Sequence, residues 1–321
     1  MNASNYSRRQ FLRTTSASAL LGLSPLALYG QDKKPARKFT LNLVGGALGV
    51  NASQNEIIAL AAKHGYESVE ARPGELVKLA PEEIKAITDL LSEHHLVWGT
   101  AGLPVEFRKD DARFEEDLKA LPAMAKALQT AGVDRVSTWL MPSHADLTYL
   151  QNFERYANRL RRVAQILKDH GQRLGMEYVG TQSLLTRGHY PFIHTLAETQ
   201  ELMARIGTGN VGVVLDSWHW WTAGDSTESL RTLKNKDVIL VDLNDAPSGV
   251  VKRDQQDGRR QLPASTGVIP IKEFIDALLA IGYDGPVRSE PFNQTLNDLD
   301  NDPACKASID ALKKARALSG V

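Results

Sequence analysis

Cysteine is almost missing from this sequence, and neither sign of charge dominates it. Cys305 is the single cysteine among the 321 residues, so no disulfide can form within the chain. It has no His or Cys close by in the sequence, and a role at the surface or in helix packing is expected for it. The 38 basic residues balance the 38 acidic ones. Without a basic excess, neither a nucleic acid nor an anionic membrane surface is expected as a partner.

Long apolar runs are missing as well. The uncharged stretch near the N-terminus, residues 14–29, is short for a membrane span. Arg8 and Arg9 stand a few residues before it. Two arginines followed by a moderately apolar segment resemble a twin-arginine export signal. No cysteine directly follows this stretch, so neither a lipid attachment nor a stable membrane anchor is expected.

The N-terminal pattern therefore predicts three segments and a location. We expect the twin-arginine translocon as a partner during export, and a mature protein that is periplasmic or otherwise exported. The predicted segments are a cleavable signal peptide over residues 1–30, a polar linker over residues 31–37 and a folded domain over residues 38–321.

Strand-like apolar runs alternate with amphipathic helical stretches through the rest of the chain. Most of the runs are separated by about 30 residues or somewhat more, roughly the length of a βα unit. This alternation predicts a single α/β domain of the (β/α)8 type, a TIM barrel. An open doubly wound sheet is the alternative, but no Gly-x-Gly-x-x-Gly follows the first run. The eight runs begin near Phe39, Tyr66, Val97, Arg135, Leu174, Val211, Val238 and Pro286.

Four acidic residues, Glu177, Asp216, Asp242 and Glu290, end four of these runs. In a barrel, the C-terminal ends of the strands meet around one axis. Buried carboxylates brought together in this way repel one another unless a cation neutralises them. A single strand-end acid is more often a helix cap or a member of an ion pair, but four of them favour a divalent metal site. Oxygen ligands suit Mn²⁺ or Mg²⁺ first, and Co²⁺ or Zn²⁺ if an imidazole joins them.

Asp216 also opens the sequence Asp216-Ser-Trp-His219. The three-residue offset places His219 on the turn that leaves the sixth strand, near the predicted metal. We predict a catalytic and substrate-contacting role for this imidazole. The tryptophans around it, Trp220 among them, are predicted to form an aromatic wall for a sugar ring. The alternative is that they cover the barrel while His219 bonds to a backbone group.

Other candidates for substrate binding lie at strand ends and on one long polar loop, residues 244–270. Alternation along the seventh strand places Asp242 and Asn244 on one face. Long loops at the C-terminal end of a barrel usually cover or build the active site, although a solvated surface loop is the alternative. The predicted substrate-binding residues are Glu70, His219, Trp220, Asn244, Arg259 and Arg260.

Taken in order, these motifs resemble the xylose isomerase-like superfamily of sugar isomerases and epimerases. That superfamily also contains inosose dehydratase, tagatose 3-epimerase-type enzymes and endonuclease IV. Endonuclease IV needs additional histidines that this sequence lacks at the corresponding strands, so DNA repair is not favoured. The matching elements are Glu177, Asp216-x-x-His219, Val241-Asp-Leu-Asn-Asp245 and Gly282-Tyr-Asp-Gly-Pro leading to Glu290.

The resemblance implies roles for particular residues. It implies a metal held by Glu177, Asp216 and Glu290, with the two glutamates also serving as the acid–base pair and His219 contacting substrate. This sequence departs from the family at the seventh strand, where Asp242 stands in place of a His. That departure puts the fourth ligand in question.

These observations predict a metal-dependent sugar isomerase or epimerase that acts through an enediolate, with Glu177, Glu290 and His219 as catalytic residues. A divalent ion on vicinal oxygens of a keto-sugar acidifies the neighbouring carbon-bound proton. If a β-hydroxyl or glycosidic oxygen leaves instead, the protein is a lyase or dehydratase of a 3-keto-glycoside or inosose. An exported, non-catalytic sugar-binding barrel is the alternative of a different class. A small-molecule carbohydrate is the expected ligand in every case.

Overall fold

The computed structural model describes residues 36–321. The described residues contain a closed barrel of parallel strands in chain order, in which the first strand pairs with the last. The predicted (β/α)8 fold is confirmed. The predicted export signal, residues 1–30, lies outside the described residues. The barrel strands are β1 (Thr40–Leu43), β2 (Ser68–Ala71), β3 (Val97–Gly102), β4 (Arg135–Trp139), β5 (Arg173–Glu177), β6 (Val211–Asp216), β7 (Val238–Leu243) and β8 (Pro286–Ser289).

Helices follow the strands and surround the barrel. The longer ones are α1 (Gln54–His64), α2 (Pro81–Glu93), α3 (Asp111–Ala131), α4 (Tyr149–Asp169), α5 (Leu196–Ile206), α6 (Ser217–Ala223), α7 (Ile271–Ala280) and α8 (Asn301–Ala317). Short helices span Pro73–Leu76, Gln182–Leu185, Thr227–Arg231 and Gln294–Asn297, and 3-10 turns span Gly46–Leu48, Asn235–Asp237, Lys252–Asp254 and Asp257–Arg259. Two-residue strands at Ser143–His144 and Tyr190–Pro191 pair outside the barrel.

Local sequence explains why these elements form where they do. Every residue of β7 is buried, as expected for a parallel strand with a packed layer on each side. Helix α1 begins with a capping box in which Ser53 and Glu56 bond each other's backbone N–H groups. It ends at Gly65, whose φ of 74° is the left-handed conformation that favours glycine. Helix, strand and turn signals therefore agree along the chain.

A buried arginine fills the barrel near the N-terminal ends of its strands. Arg135 donates to the carbonyl of Ile239 at 3.0 Å and to the carboxylate of Asp284 at 2.9 Å. A side chain on Gly285 would meet this arginine, because an added Cβ would lie 2.4 Å from its Nη1. The side chain of Arg135, paired with Asp284, therefore occupies this end of the barrel.

The C-terminal ends of the strands carry the long loop 244–270, which returns across the barrel. Asp245 holds the base of this loop, because its carboxylate accepts from the backbone N–H groups of Ala246, Thr266, Gly267 and Ile269. Cys305 is buried in α8, which agrees with a role in helix packing and not with one at the surface. Within residues 36–321, no helix combines the length and the apolarity needed to cross a membrane.

Candidate metal and active site

The ends of β5 to β8 bring the predicted acidic residues together. Asp216 pairs in register with Asp242, and Asp242 pairs with Arg288. Ligand atoms of Glu177, Asp242 and Glu290 lie within 4.8 Å of one another. The same limit holds for a second group, in which Asp216 and His219 join Glu177. The predicted convergence of the four carboxylates is therefore present.

Asp216 is the most firmly held of these carboxylates. It caps α6 by accepting from the backbone N–H of Trp218 at 2.7 Å through Oδ1. The side-chain amide of Asn244 donates to both of its oxygens, at 3.0 and 3.1 Å. Arg260 donates to Oδ2 at 2.7 Å. Burial raises the pKa of Asp216 to about 6, although the charge of Arg260 opposes that rise.

Arg260 lies at the centre of the site. It comes from the loop 244–270 and is 1% exposed. Besides Asp216, its Nη1 lies 3.4 Å from an oxygen of Glu290. Its Nη2 lies 3.0 Å from Nε2 of His219 and 2.8 Å from an oxygen of Asp257. One guanidinium group thus contacts four side chains of the site.

A second buried guanidinium, that of Arg288 on β8, holds Asp242. Its Nε donates to Oδ1 of Asp242 at 2.6 Å, and its Nη2 lies 3.3 Å from Oδ2. Weaker contacts reach Glu70 at 3.4 Å and Glu290 at 3.6 Å. Both oxygens of Asp242 are therefore engaged by an arginine, which leaves this carboxylate less available to a metal than the sequence suggested.

Glu177 differs from the other acids because its Oε1 is buried without a hydrogen-bond partner among the described residues. Burial, together with the charge of Glu290, raises the pKa of Glu177 well above its ordinary value. Burial likewise raises the pKa of Glu290 to about 8, and the charge of Asp242 adds to that rise. For Glu290, burial and the charge of Asp242 outweigh the opposing charges of Arg288 and Arg260.

The charges of the site fit an added cation. Two guanidinium groups face six carboxylates, so ionised acids outnumber the fixed cations. Such an excess, with an unpartnered oxygen on Glu177, is the donor set that a divalent ion requires. The six carboxylates belong to Glu70, Glu177, Asp216, Asp242, Asp257 and Glu290.

His219 is buried beside Glu177 on the first turns of α6. Its Nε2 lies 3.8 Å from Glu177 and 3.8 Å from Asp257, and its Nδ1 has no partner among the described residues. Burial and the charge of Arg260 lower the pKa of His219 to about 3, so the imidazole is uncharged at neutral pH. Gly180 permits this placement, because an added Cβ would lie 2.5 Å from the carbonyl oxygen of His219.

A cavity of about 310 Å³ opens over the two glutamates and His219. Its aromatic wall consists of Trp139 at the end of β4 and Phe292 after β8, both partly exposed. Phe292 has a φ of 38°, a strained conformation for this residue type, and the guanidinium of Arg260 lies 4.6 Å from its ring. The complete lining is Trp139, Glu177, Val179, Leu184, His219, Asp257, Arg260, Glu290 and Phe292.

Several predicted substrate-binding residues lie elsewhere. Trp220 is 3% exposed, packs 5.4 Å from the ring of Phe274 and is absent from the cavity wall. Asn244 is fully buried, since its amide links Asp216 to the backbone N–H of Glu290. Arg259 is exposed outside the cavity. The structure thus gives Trp220 and Asn244 packing and positioning contacts in place of the predicted contacts with substrate.

Other predicted residues are near the site, and some members of the site were missed. Glu70 is partly buried and reaches the site through Arg288, whereas Arg260 lines the cavity directly. Sequence reasoning missed Asp257 and the Trp139–Phe292 wall. Trp139 ends a predicted strand next to the end of β5, which was an available signal. Asp257 lies in an irregular loop, where no periodicity marks it.

Comparisons with known proteins agree with this geometry. A model of the xylose isomerase-like TIM barrel family matches residues 58–315. An inosose isomerase from Bacillus velezensis is 23% identical over 248 residues, which are 75% of this chain and 84% of that relative. A xylose isomerase domain protein from Alicyclobacillus acidocaldarius is 31% identical with a TM-score of 0.77, and the match covers 89% of this chain and 100% of that one.

A crystal structure of the IolI protein with a bound zinc atom gives a further match. Its TM-score is 0.69 at 21% identity, over 86% of this chain and 97% of that chain. This likeness shows the shared fold.

Proposed function

The chain belongs to the xylose isomerase-like TIM barrel family, and we propose that it is a divalent-metal-dependent isomerase or epimerase of a small carbohydrate. One observation carries the proposal: the carboxylates of Glu177 and Glu290 line one cavity together with the imidazole of His219. Two carboxylic groups on one small cavity can take a proton from carbon and return it at another position or face. The cavity, of about 310 Å³, also has a size that suits a small ligand.

The proposed metal site consists of Glu177, Asp216 and Glu290. Asp242 is the weakest candidate because Arg288 engages both of its oxygens. A bound divalent ion would polarise the substrate carbonyl and acidify the neighbouring C–H. Oxygen ligands favour Mn²⁺ or Mg²⁺. The nearby His219 and the zinc in the IolI structure keep Co²⁺ and Zn²⁺ in the proposal.

The protein side chains divide the chemistry among them. One glutamate removes the carbon-bound proton, which leaves an enediolate, and the other returns a proton. His219 lies close enough to Glu177 for its imidazole to hydrogen-bond the substrate oxygen on which charge develops. Trp139 and Phe292 exclude water from one side of the cavity and offer their faces to a sugar ring.

The charges around the cavity support an uncharged substrate. Glu177, Asp257 and Glu290 line it, against the single cationic side chain of Arg260. After one divalent ion had bound, these charges would sum to zero, so the lining would offer no net positive charge to hold a phosphorylated sugar. We therefore propose a neutral keto-sugar or an inosose as the substrate class.

Proton exchange tests the proposal. Purified protein would be incubated in D₂O with keto-sugars, 3-keto-glycosides and inosose, first with Mn²⁺ and then after removal of metal by a chelator. We expect NMR to show deuterium next to the carbonyl, and mass spectrometry to show an isomeric product that is heavier only by this deuterium. Both should disappear without metal. Exchange that persists in metal-free protein would exclude the metal-dependent route.

A lyase or dehydratase is the second candidate, and Asp257 favours it. Its carboxylate lies 3.8 Å from Nε2 of His219, and despite its burial the charge of Arg260 helps to lower its pKa. Asp257 therefore gives the cavity a further base, while Glu290, whose pKa is raised to about 8, could protonate a leaving oxygen. Elimination would yield a product that lacks water or an alcohol, which mass spectrometry separates from an isomer. Saturable sugar binding with no exchange at all would identify the third alternative, a binding barrel.

We also propose that the protein is exported through the twin-arginine translocon, because Arg8 and Arg9 precede an uncharged segment. This pathway carries folded proteins, which suits an enzyme that acquires its metal before export. Replacing both residues by lysine should retain the protein inside the cell, as measured by fractionation and immunoblotting. Unchanged export of the double variant would remove this part of the proposal.

A further inference from the structure

Arg260 contacts two of the proposed metal ligands, Asp216 and Glu290, and also His219, which lies with Asp216 and Glu177 in a group of possible metal ligands. Its guanidinium reaches Asp216 at 2.7 Å, His219 at 3.0 Å and Glu290 at 3.4 Å. Ligand atoms of Asp216, His219 and Glu177 lie within 4.8 Å of one another, which is the space of a single ion. The guanidinium of Arg260 and a divalent ion would therefore bind to an overlapping set of side chains.

The hydrogen bonds of Asp216 leave no room for both cations. A carboxylate offers about four lone-pair sites. Oδ1 of Asp216 already accepts from Trp218 and Asn244, while Oδ2 accepts from Asn244 and Arg260. Two of these donors are fixed in place. Trp218 belongs to the cap of α6, and Asn244 directly follows β7. A metal–oxygen bond of roughly 2.0–2.2 Å on Asp216 must therefore displace Arg260.

The attachment of Arg260 allows such a displacement. The seven residues before Gln255, from Ser248 to Asp254, are all exposed. Arg260 pairs with Asp257 on the same loop at 2.8 Å, so the two can leave together as a neutral pair. Arg288, by contrast, lies within β8 and is held by the barrel ladder.

We infer that Arg260 and the divalent metal compete for Asp216, Glu290 and His219, so that metal binding releases the segment 252–260. This inference rests on the metal-dependent function proposed above and goes beyond it. It assigns Arg260 as the residue that occupies the site in the metal-free protein. It also assigns the loop as the part of the molecule that reports whether metal is bound.

Limited trypsin digestion of the unaltered protein tests the release directly. Lys252, Arg253 and Arg259 are exposed in the segment and provide cleavage sites. We expect cleavage after these residues to be on the order of 10-fold faster with saturating Mn²⁺ than in metal-free protein, a typical size for coupling between two sites. Cleavage that is unchanged or slower when Mn²⁺ is bound overturns the inference while leaving the metal-dependent function intact.

Arg260→Met tests the competition from the other side. The segment should be cleaved rapidly in this variant even without metal, and Mn²⁺ should no longer change the rate. Calorimetric titration should show Mn²⁺ binding on the order of 10-fold tighter than in the unaltered protein. Arg253→Met is the matched control, because Arg253 is exposed on the same segment and its ion pair among the described residues is with its neighbour Asp254. Its Mn²⁺ affinity should be unchanged.

Arg260→Lys guards against loss of folding in the methionine variant. It keeps one positive charge but cannot contact Asp216 and His219 at once, so an intermediate Mn²⁺ affinity is expected. Equal affinities in the unaltered, Lys and Met proteins would refute the competition alone. Absence of Mn²⁺ and Zn²⁺ binding in all three would refute the metal-dependent function as well.

Discussion

Two regions build the site, and they hold their charges in different ways. The strand-borne region pairs Asp242 on β7 with Arg288 on β8, whose positions are set by the register of the barrel. The loop-borne region pairs Asp257 with Arg260 on a segment that is exposed before it reaches the site. Both arginines are buried and paired with acidic side chains. Arg288 is part of the barrel scaffold, whereas Arg260 can be exchanged for a metal ion.

We therefore expect the strand-borne charges to stabilise the fold and the loop-borne charges to serve the function of the site. Removing a strand-borne partner should leave an unpaired charge inside the barrel and destabilise the fold. Removing the loop-borne arginine should leave acids that an added cation can neutralise. Glu177 stands apart from both regions, because neither arginine bonds to it and its Oε1 has no hydrogen-bond partner among the described residues.

The largest effect is expected for Glu177→Gln, and it should fall on turnover and not on folding. Loss of a general acid or base lowers rates by about 10²–10⁴-fold. The same change removes a buried carboxylate repelled by Glu290, so the metal-free variant should be more stable by about 0.5–2 kcal/mol. Deuterium exchange into substrate and urea denaturation measure the two quantities. Glu93→Gln, an exposed change at the end of α2, should alter neither.

The next largest effect is expected for Arg288→Met, which breaks the strand-borne pair. Breaking a buried ion pair by removing one partner costs about 3–5 kcal/mol, because the other charge stays buried and uncompensated. Urea denaturation of the metal-free protein should show a loss of this size. Adding Asp242→Asn should recover much of it, since the orphaned charge is then gone.

The Asp242→Asn single variant sharpens the comparison further. If Arg288 withdraws Asp242 from the metal, this variant should keep its metal content, as measured by elemental analysis. Loss of the metal from Asp242→Asn would show that Asp242 is a ligand after all. The strand-borne pair would then belong to the functional part of the cluster.

The sequence was sufficient for the barrel and for the convergence of its acids. Eight apolar runs at βα spacing leave few other folds, and strand-end carboxylates then meet by geometry. The partners of those acids were harder to foresee. That Arg288 holds Asp242 depends on the pairing register of β7 with β8, and that Arg260 reaches Asp216 depends on the path of an irregular loop.

The aromatic wall shows the same limit. The cluster at Trp218, Trp220 and Trp221 predicted a sugar-binding face, but α6 turns these rings toward packing contacts. Trp218 donates to Thr181 and Trp220 packs against Phe274. Trp139 and Phe292, isolated in the sequence, form the wall instead. The sequence predicted an aromatic wall in the site. Which aromatic side chains face the cavity depends on the three-dimensional path of the chain.

A smaller loss of stability than in Arg288→Met is expected at Asp245, which ties the loop-borne region to the barrel. Its carboxylate accepts four backbone N–H groups, at 2.8 to 3.0 Å. Burial alone would raise the pKa of Asp245, but these hydrogen bonds outweigh it and hold the pKa below its ordinary value. In Asp245→Asn the amide NH₂ would face two of these donors. The variant should lose about 1.5–3 kcal/mol, the range for hydrogen bonds to a charged group.

The pH dependence of that loss has a definite sign. Because the folded pKa of Asp245 is lowered, its contribution is fully present above the unfolded value of about 3.9 and disappears as pH falls through the folded value. The difference in unfolding free energy between the unaltered protein and Asp245→Asn should therefore be constant from pH 7 to about pH 5. It should shrink below about pH 4, as urea denaturation across this range can measure. A difference that grows at acidic pH would mean that the protonated carboxyl group, and not the carboxylate, stabilises the folded loop.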